Sequence, residues 1–244
     1  MSTAHPDHPH RTPPVGATAP VRPGWPEVWV GLLAFAAATV AILFFGPLGP
    51  LDLDPVAYGL VVAAWSGVVG LVGFAAAAAL RIRSLAAFSV RRTTWRWVLA
   101  AVGLGVAAIA VKGAVNYAVI ALTGFDSDPQ GMYYDAAGGG LLPLILTVLF
   151  LAVLTPVGEE FLFRGVITNA LLRYGPVIGV LGSSVVFALF HGVNLALPSA
   201  LVVGIIAAEA MRRSGSIWPA VVIHAVNNAA LPLFVLVSGY GGPA

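Results

Sequence analysis

Residues 98–122 form a run of twenty-five in which Lys112 is the one charged side chain. Runs of this kind recur from about residue 28 to residue 237, with short loops between them. A bilayer core about 30 Å thick takes about 20 apolar helical residues to cross. Inside it every backbone polar group must be satisfied within the protein, which leaves helices for runs of this length. The chain is therefore expected to fold as an all-α, polytopic transmembrane bundle. Its composition agrees: 59% of residues are hydrophobic and 9% charged, against about a quarter charged in soluble domains. Cysteine is absent, which excludes disulfides, thiolate metal sites and a cysteine nucleophile.

Seven spans are expected, at roughly 28–46, 56–80, 98–122, from 141 onward, 176–191, 197–211 and 217–237. Eleven of the twelve basic residues are arginine, and Arg81, Arg83, Arg91, Arg92 and Arg96 cluster between spans two and three. By the positive-inside rule that segment is cytoplasmic, with Trp95 and Trp97 suited to the interface. Arg212 and Arg213 close span six on the same side, with Glu209 beside them. Asp126, Asp128, Asp135 and the glycines at 138–140 then lie outside. The N-terminus is cytoplasmic and the C-terminus is not. Membrane orientation accounts for the small positive net charge of +2, and no nucleic-acid partner is expected. Residues 1–27, rich in Pro and His, read as a disordered tail with His5, His8 and His10 solvated. The first apolar run reads as an anchor and not as a cleaved signal peptide. Residues 28–139 form an N-terminal set of membrane helices and 140–238 a catalytic core.

The fourth span is unusual. From Leu141 to Arg173 a continuous helix would be about 50 Å long, and Pro156 and Gly158 sit in its middle. Proline removes a backbone donor and crowds the preceding turn, so a kinked or broken helix is expected there, opening on a wet interior.

Ionisable residues within membrane helices usually mark function, and here they fall into three patterns spaced i to i+4. In EEFLFR, Glu160 and Arg164 share a helix face in the favoured order. Glu159 is left without a local cation and is a candidate general base. In FALFH, Phe187 lies one turn before His191 and restricts its ring. In HAVNN, His224 and Asn228 share a face and offer donors for a developing oxyanion. At about 1.5 Å per residue from the arginine-rich end, Glu159, His191 and Asn228 each lie about 20 Å in and His224 about 13 Å in. The bland readings are a structural Glu160–Arg164 pair, histidines bonded to backbone carbonyls, and Asn228 as helix-to-helix glue. Lys112 neutralises the second carboxylate or snorkels, and is assigned no catalysis. Gly165, Gly192 and Gly204 are expected to allow close helix packing.

These motifs, in this order on late spans, resemble the CPBP family of type-II CAAX prenyl proteases and bacteriocin-immunity or lysostaphin-resistance-like proteins. Its pattern is EExxxR, FxxxH, then HxxxN or HxxxD, and the likeness covers roughly residues 140–232. LAAFSVRRTTWRW also looks like the family's basic segment. The resemblance implies that Glu159 and His191 activate a water, that His224 and Asn228 stabilise the oxyanion, and that Glu160 and Arg164, with Phe187, support the site. It implies an intramembrane endopeptidase acting on a membrane-associated peptide or protein. In eukaryotic relatives the substrate is a prenylated CAAX segment. The site is expected to open toward the cytoplasm, in a bacterial plasma membrane. No cofactor is expected. The alternative is zinc held by Glu159, His191 and His224. HExxH and GxSG motifs are absent, and no aspartate lies within a span. The competing functions are a non-catalytic immunity or regulatory membrane protein and a proton-coupled transporter.

Overall fold

The computed structural model describes residues 22–45 and 52–240. Every regular element among them is helical. The long elements are α1 (Trp25–Phe45), α2 (Pro55–Leu80) and α3 (Trp95–Thr123), followed by a short α4 (Gly131–Gly138). Then come a 34-residue helix, α5 (Leu141–Tyr174), a short apolar helix, α6 (Ile178–Leu189), α7 (Ala196–Ser214) and α8 (Trp218–Ser238). Five of these, α1, α2, α3, α5 and α8, are long and apolar enough to cross a bilayer. The expected fifth and sixth spans are α6, about 18 Å long, and α7, which carries Glu209, Arg212 and Arg213.

Most of the expected tail, residues 1–21 with His5, His8 and His10, lies outside the described residues. Its last part is not disordered, because α1 already begins at Trp25. The buried Glu27 carboxylate accepts the Gly24 N–H at 2.7 Å and a two-point contact from Arg81 at 2.6 and 3.0 Å. Arg81 pairs with that carboxylate, which raises its already high pKa. Within the segment expected to lie outside between the third and fourth spans, GMYYDAAG forms the two helical turns of α4.

Helix α5 departs from ideal geometry where Pro156 predicts trouble, as two widened π stretches in a helix that stays continuous. These are Val148–Leu154 and Phe161–Thr168, on either side of the α-helical Thr155–Glu160. Such turns leave carbonyls without their usual donors. The Thr155 N–H reaches back five residues to the Phe150 carbonyl, and Pro156 has no N–H to give. Leu151 O is thus left over by its own helix, and Asn228 Nδ2 on α8 donates to it at 3.0 Å. In the second stretch, Asn169 Nδ2 donates to the carbonyls of Arg164 and Gly165. Thr168 Oγ donates to Phe163 O.

The tightest helix contact is between α2 and α5. A Cβ on Gly158 would lie 1.9 Å from Gly67 O, and one on Gly70 would lie 2.4 Å from the Gly158 carbonyl carbon. Small residues are what let membrane helices approach this closely. Here they are Gly67, Gly70 and Gly158. Of the glycines singled out by sequence, Gly204 does pack closely, against Ser184. Gly192 instead takes a left-handed turn, φ +77°, and Gly165 meets its neighbours at ordinary contact distance, 3.5 Å or more.

Gly158→Ala is expected to cost about 3 kcal/mol or more, the upper range for overpacking, read as a lowered Tm of the detergent-purified protein. Gly103→Ala, where nothing lies within 4 Å, is expected to be neutral or slightly stabilising.

Candidate active site

The α2–α5 contact fixes what faces what in the site. It sets Thr155 Oγ to donate to Ala63 O at 2.9 Å. It also brings Ser66 Oγ to Glu159 Oε1 at 3.0 Å. Ser66 was missed by sequence reasoning. The signal was there in Gly67 and Gly70, whose spacing marks the face of α2 that meets another helix closely.

The adjacent carboxylates diverge. Glu160 is fully buried and Arg164 is 1% exposed. Their atoms Oε2 and Nε are 3.0 Å apart, close as an ion pair but not aligned as a hydrogen bond, since none of the guanidinium nitrogens has a hydrogen-bond partner among the described residues. The flat guanidinium lies over the Phe187 ring at 4.4 Å, a contact worth more in a desolvated setting. The other Glu160 oxygen accepts from His224 Nδ1 at 2.8 Å. Since a carboxylate only accepts, the proton on that side belongs to Nδ1, and His224 Nε2 is the atom that faces Glu159, 3.9 Å from its Oε2. Glu159 Oε2 itself has no hydrogen-bond partner among the described residues.

Phe187 is the hub. Its ring meets those of His191 and His224 edge-on, at centroid distances of 4.7 and 5.8 Å. Phe187 and His191 do not share a continuous helix as the spacing predicts. Helix α6 ends at Leu189, and His191 sits in the turn that follows, its Nδ1 3.0 Å from Phe187 O. A carbonyl accepts only, so Nδ1 carries the proton and Nε2 is left as an acceptor. Asn228 is partly committed: one amide hydrogen goes to Leu151 O, and its Oδ1 accepts from Asn227 at 3.0 Å. Its second amide hydrogen stays available.

A cavity of about 550 Å³ joins these groups, with Ser66, Glu159, Phe187, His191, His224, Asn227 and Asn228 in its wall. Tyr133 of α4, also missed by sequence, lines it too. Burial, and secondarily the Glu159 charge, push the Tyr133 phenol up, so it remains a donor. From this layer the wall continues to Lys112, Asn116, Asp128, Gln130 and Phe234. That direction leads away from the arginine-rich end, where Phe88, Leu162, Phe163, Val166 and Ile167 fill the bundle with Phe187. The expected opening toward the arginines is therefore corrected. LAAF of the basic segment folds inward as a helical turn, with Phe88 fully buried, and closes that side.

For the zinc alternative, His224 Nδ1 is held by Glu160 and His191 Nδ1 by the Phe187 carbonyl, which leaves the two Nε2 atoms and Glu159 as its ligand atoms. Among the described residues no three His, Asp or Glu side chains stand close enough together to hold a metal ion.

With the geometry in place, comparison with known proteins adds a family. Residues 141–230 match the model described as Type II CAAX prenyl endopeptidase Rce1-like. This stretch belongs to the Rce1-like family. It contains all of α5, α6 and α7 and most of α8, and with them each of the three motifs. No curated protein and no solved structure matches the chain. The Rce1-like family is one of CAAX-type endopeptidases. With five bilayer-length helices the chain is an integral membrane protein whose residues 141–230 match that peptidase family.

Because Arg164 and Glu160 are buried together, removing one strands the other. Glu160→Gln is expected to cost about 3–5 kcal/mol, read by thermal unfolding. The double variant Glu160→Gln/Arg164→Met is expected to recover part of that loss. An additive result would mean the two charges are not coupled.

Proposed function

We propose that this protein is an intramembrane endopeptidase in which Glu159 is the general base. The observation that carries the reading is a carboxylate 7% exposed, with one oxygen unpartnered, in the wall of a cavity shared with two imidazoles and an amide. Glu160 cannot take that role, being engaged by Arg164 and His224.

Glu159 takes a proton from a water as the water oxygen bonds to the scissile carbonyl carbon. His191 Nε2, an acceptor, orients that water. Ser66 donates to Glu159 and holds its carboxylate toward the cavity. The oxyanion receives the free amide hydrogen of Asn228 and an N–H from His224 Nε2 when that ring is protonated, its charge balanced by Glu160. The tetrahedral centre collapses, the C–N bond breaks, and the leaving nitrogen takes the proton that Glu159 carried. General base and oxyanion donors are each worth roughly 10²–10⁴ in rate.

Side of entry follows from charge. Arg81, Arg83, Arg91, Arg92, Arg96, Arg173, Arg212 and Arg213 all flank helix ends on one face of the bundle, and the positive-inside rule assigns that face to the cytoplasm. The N-terminus is then cytoplasmic, and the cavity is approached from the opposite leaflet. The substrate is a membrane-associated peptide or protein that presents a segment there.

Peptidase activity in detergent is expected to fall about 10²–10⁴-fold in Glu159→Gln and in His191→Ala, with Tm retained and no effect of a chelator. Full activity in Glu159→Gln would remove the base assignment. Loss to chelator restored by zinc would replace it with a metal mechanism. Orientation is tested separately: alkaline phosphatase fused after residue 244 is expected to be active and a fluorescent protein dark. The reverse pattern would turn the cavity to the cytoplasm.

A further inference from the structure

The reacting layer is rich in acceptors and short of donors. An ionised Glu159 only accepts, and His191 Nε2 is an acceptor because its Nδ1–H goes to Phe187 O. A neutral His224 gives its one N–H, on Nδ1, to Glu160. Ser66 gives its hydroxyl to Glu159, and Thr155 gives its own to Ala63 O. Asn227 donates to Asn228, and its own oxygen is buried without a partner among the described residues. Asn228 keeps one amide hydrogen. A carbonyl oxygen under attack takes up negative charge here, and preorganised donors aimed at such an oxygen are a large part of catalysis.

Helix α4 brings a further donor. It packs on α2 at Gly59, where a Cβ would run into Met132 O and lie 2.9 Å from Ala136 Cβ. Gly59 stands seven residues, about 10 Å, toward the outer end from Ser66, so α4 caps the reacting layer. The Tyr133 ring packs against the cluster of Ala63, Ala137, Leu151, Leu231 and Val235. Two carbonyls of that cluster are the ones the site uses for bracing: Ala63 O holds Thr155 and Leu151 O holds Asn228. Tyr133 thus comes down beside the backbone that positions Asn228. It lines the cavity with Glu159, His191, His224 and Asn228. The Glu159 charge is near enough to act on its phenol, which makes no hydrogen bond to another described residue.

We propose that Tyr133 is a second neutral donor to the oxyanion, beside Asn228. As the water oxygen bonds to the scissile carbonyl carbon, the C=O π pair moves onto the carbonyl oxygen. The phenol O–H donates to that oxygen and keeps its proton throughout. With the Asn228 amide it meets the charge without requiring a second proton on His224. This rests on the endopeptidase reading above but not on the family match, which begins at residue 141, after α4.

The test uses the full chain in detergent with two dye-labelled ligands of CAAX type, each with an S-farnesyl cysteine. One is a cleavable peptide. The other carries a phosphinate, –PO₂⁻–CH₂–, in place of the scissile –CO–NH–, and so presents a charged tetrahedral centre without reacting. Tyr133→Phe removes one oxygen and keeps the ring. It is expected to lower kcat about 10²–10³-fold, the loss for one oxyanion donor, with KM and Tm unchanged, as for an interaction made only in the transition state. Affinity for the phosphinate should fall while affinity for the peptide holds. Tyr134→Phe is the control on the same helix; the Tyr134 ring meets Phe234 and Tyr240 edge-on, and the change is expected to leave kcat and both affinities as they are. A wild-type kcat in Tyr133→Phe, or an equal loss of peptide and phosphinate binding, would overturn the assignment and leave the peptidase standing; the equal loss is what a packing role alone would give. A wild type that binds the peptide and does not cut it would remove the peptidase reading, and this role with it.

Discussion

The structure depends on a buried ion pair. Arg164 cannot lose its proton under ordinary conditions, and it is 1% exposed. Its charge has to be met inside the bundle. Glu160 supplies the countercharge at 3.0 Å, Phe187 offers its ring face at 4.4 Å, and His224 takes the other Glu160 oxygen at 2.8 Å. Three helices, α5, α6 and α8, are thereby tied to one guanidinium. The energetic return of such a pair is small or negative once desolvation is counted, so its value lies in fixing positions. With Glu160 spent, the adjacent Glu159 keeps an oxygen for the cavity.

Close approach of α2 makes the second constraint. Where Gly67 and Gly70 meet Gly158, the backbones touch, and Ser66 reaches Glu159. The same stretch of α5 carries Pro156, whose missing N–H frees the Leu151 carbonyl that Asn228 then binds. A helix defect, a small-residue contact and an amide on another helix therefore describe one local solution. The helix remains continuous, and its irregularity is used for cross-bracing between α5 and α8.

Much of the site could be read from sequence, because motif residues repeat at helical spacing. Glu160 with Arg164 is an i, i+4 pair in the structure as on paper. Glu159, His191, His224 and Asn228, named from three separate segments, line one cavity. Tyr133 and Asn227 could not be read in the same way, since their role comes from contact between helices and leaves no period in the chain; for Ser66 the one signal was indirect, the spacing of Gly67 and Gly70 beside it. His191 was placed on a helix because FALFH has helical spacing, but the helix stops at Leu189 and the ring is held by the Phe187 carbonyl instead. The direction of the cavity was misjudged for a related reason. The basic segment looks like a solvated loop, and nothing in its composition reveals that Phe88 turns inward and closes that end.

The central claim is that Glu159, deep in an apolar bundle, faces water. The chain has no cysteine, so a single introduced thiol reports its own surroundings. Thiols react as thiolates, which need water. Reactivity toward a small, charged thiol reagent is the measurement, in membranes, for Glu159→Cys and for Leu149→Cys, whose side chain is exposed on the outside of α5 where lipid would cover it. The account predicts rapid modification at position 159 and little at position 149. A cysteine at 159 as inert as the one at 149 would place the carboxylate in a dry interior and contradict it.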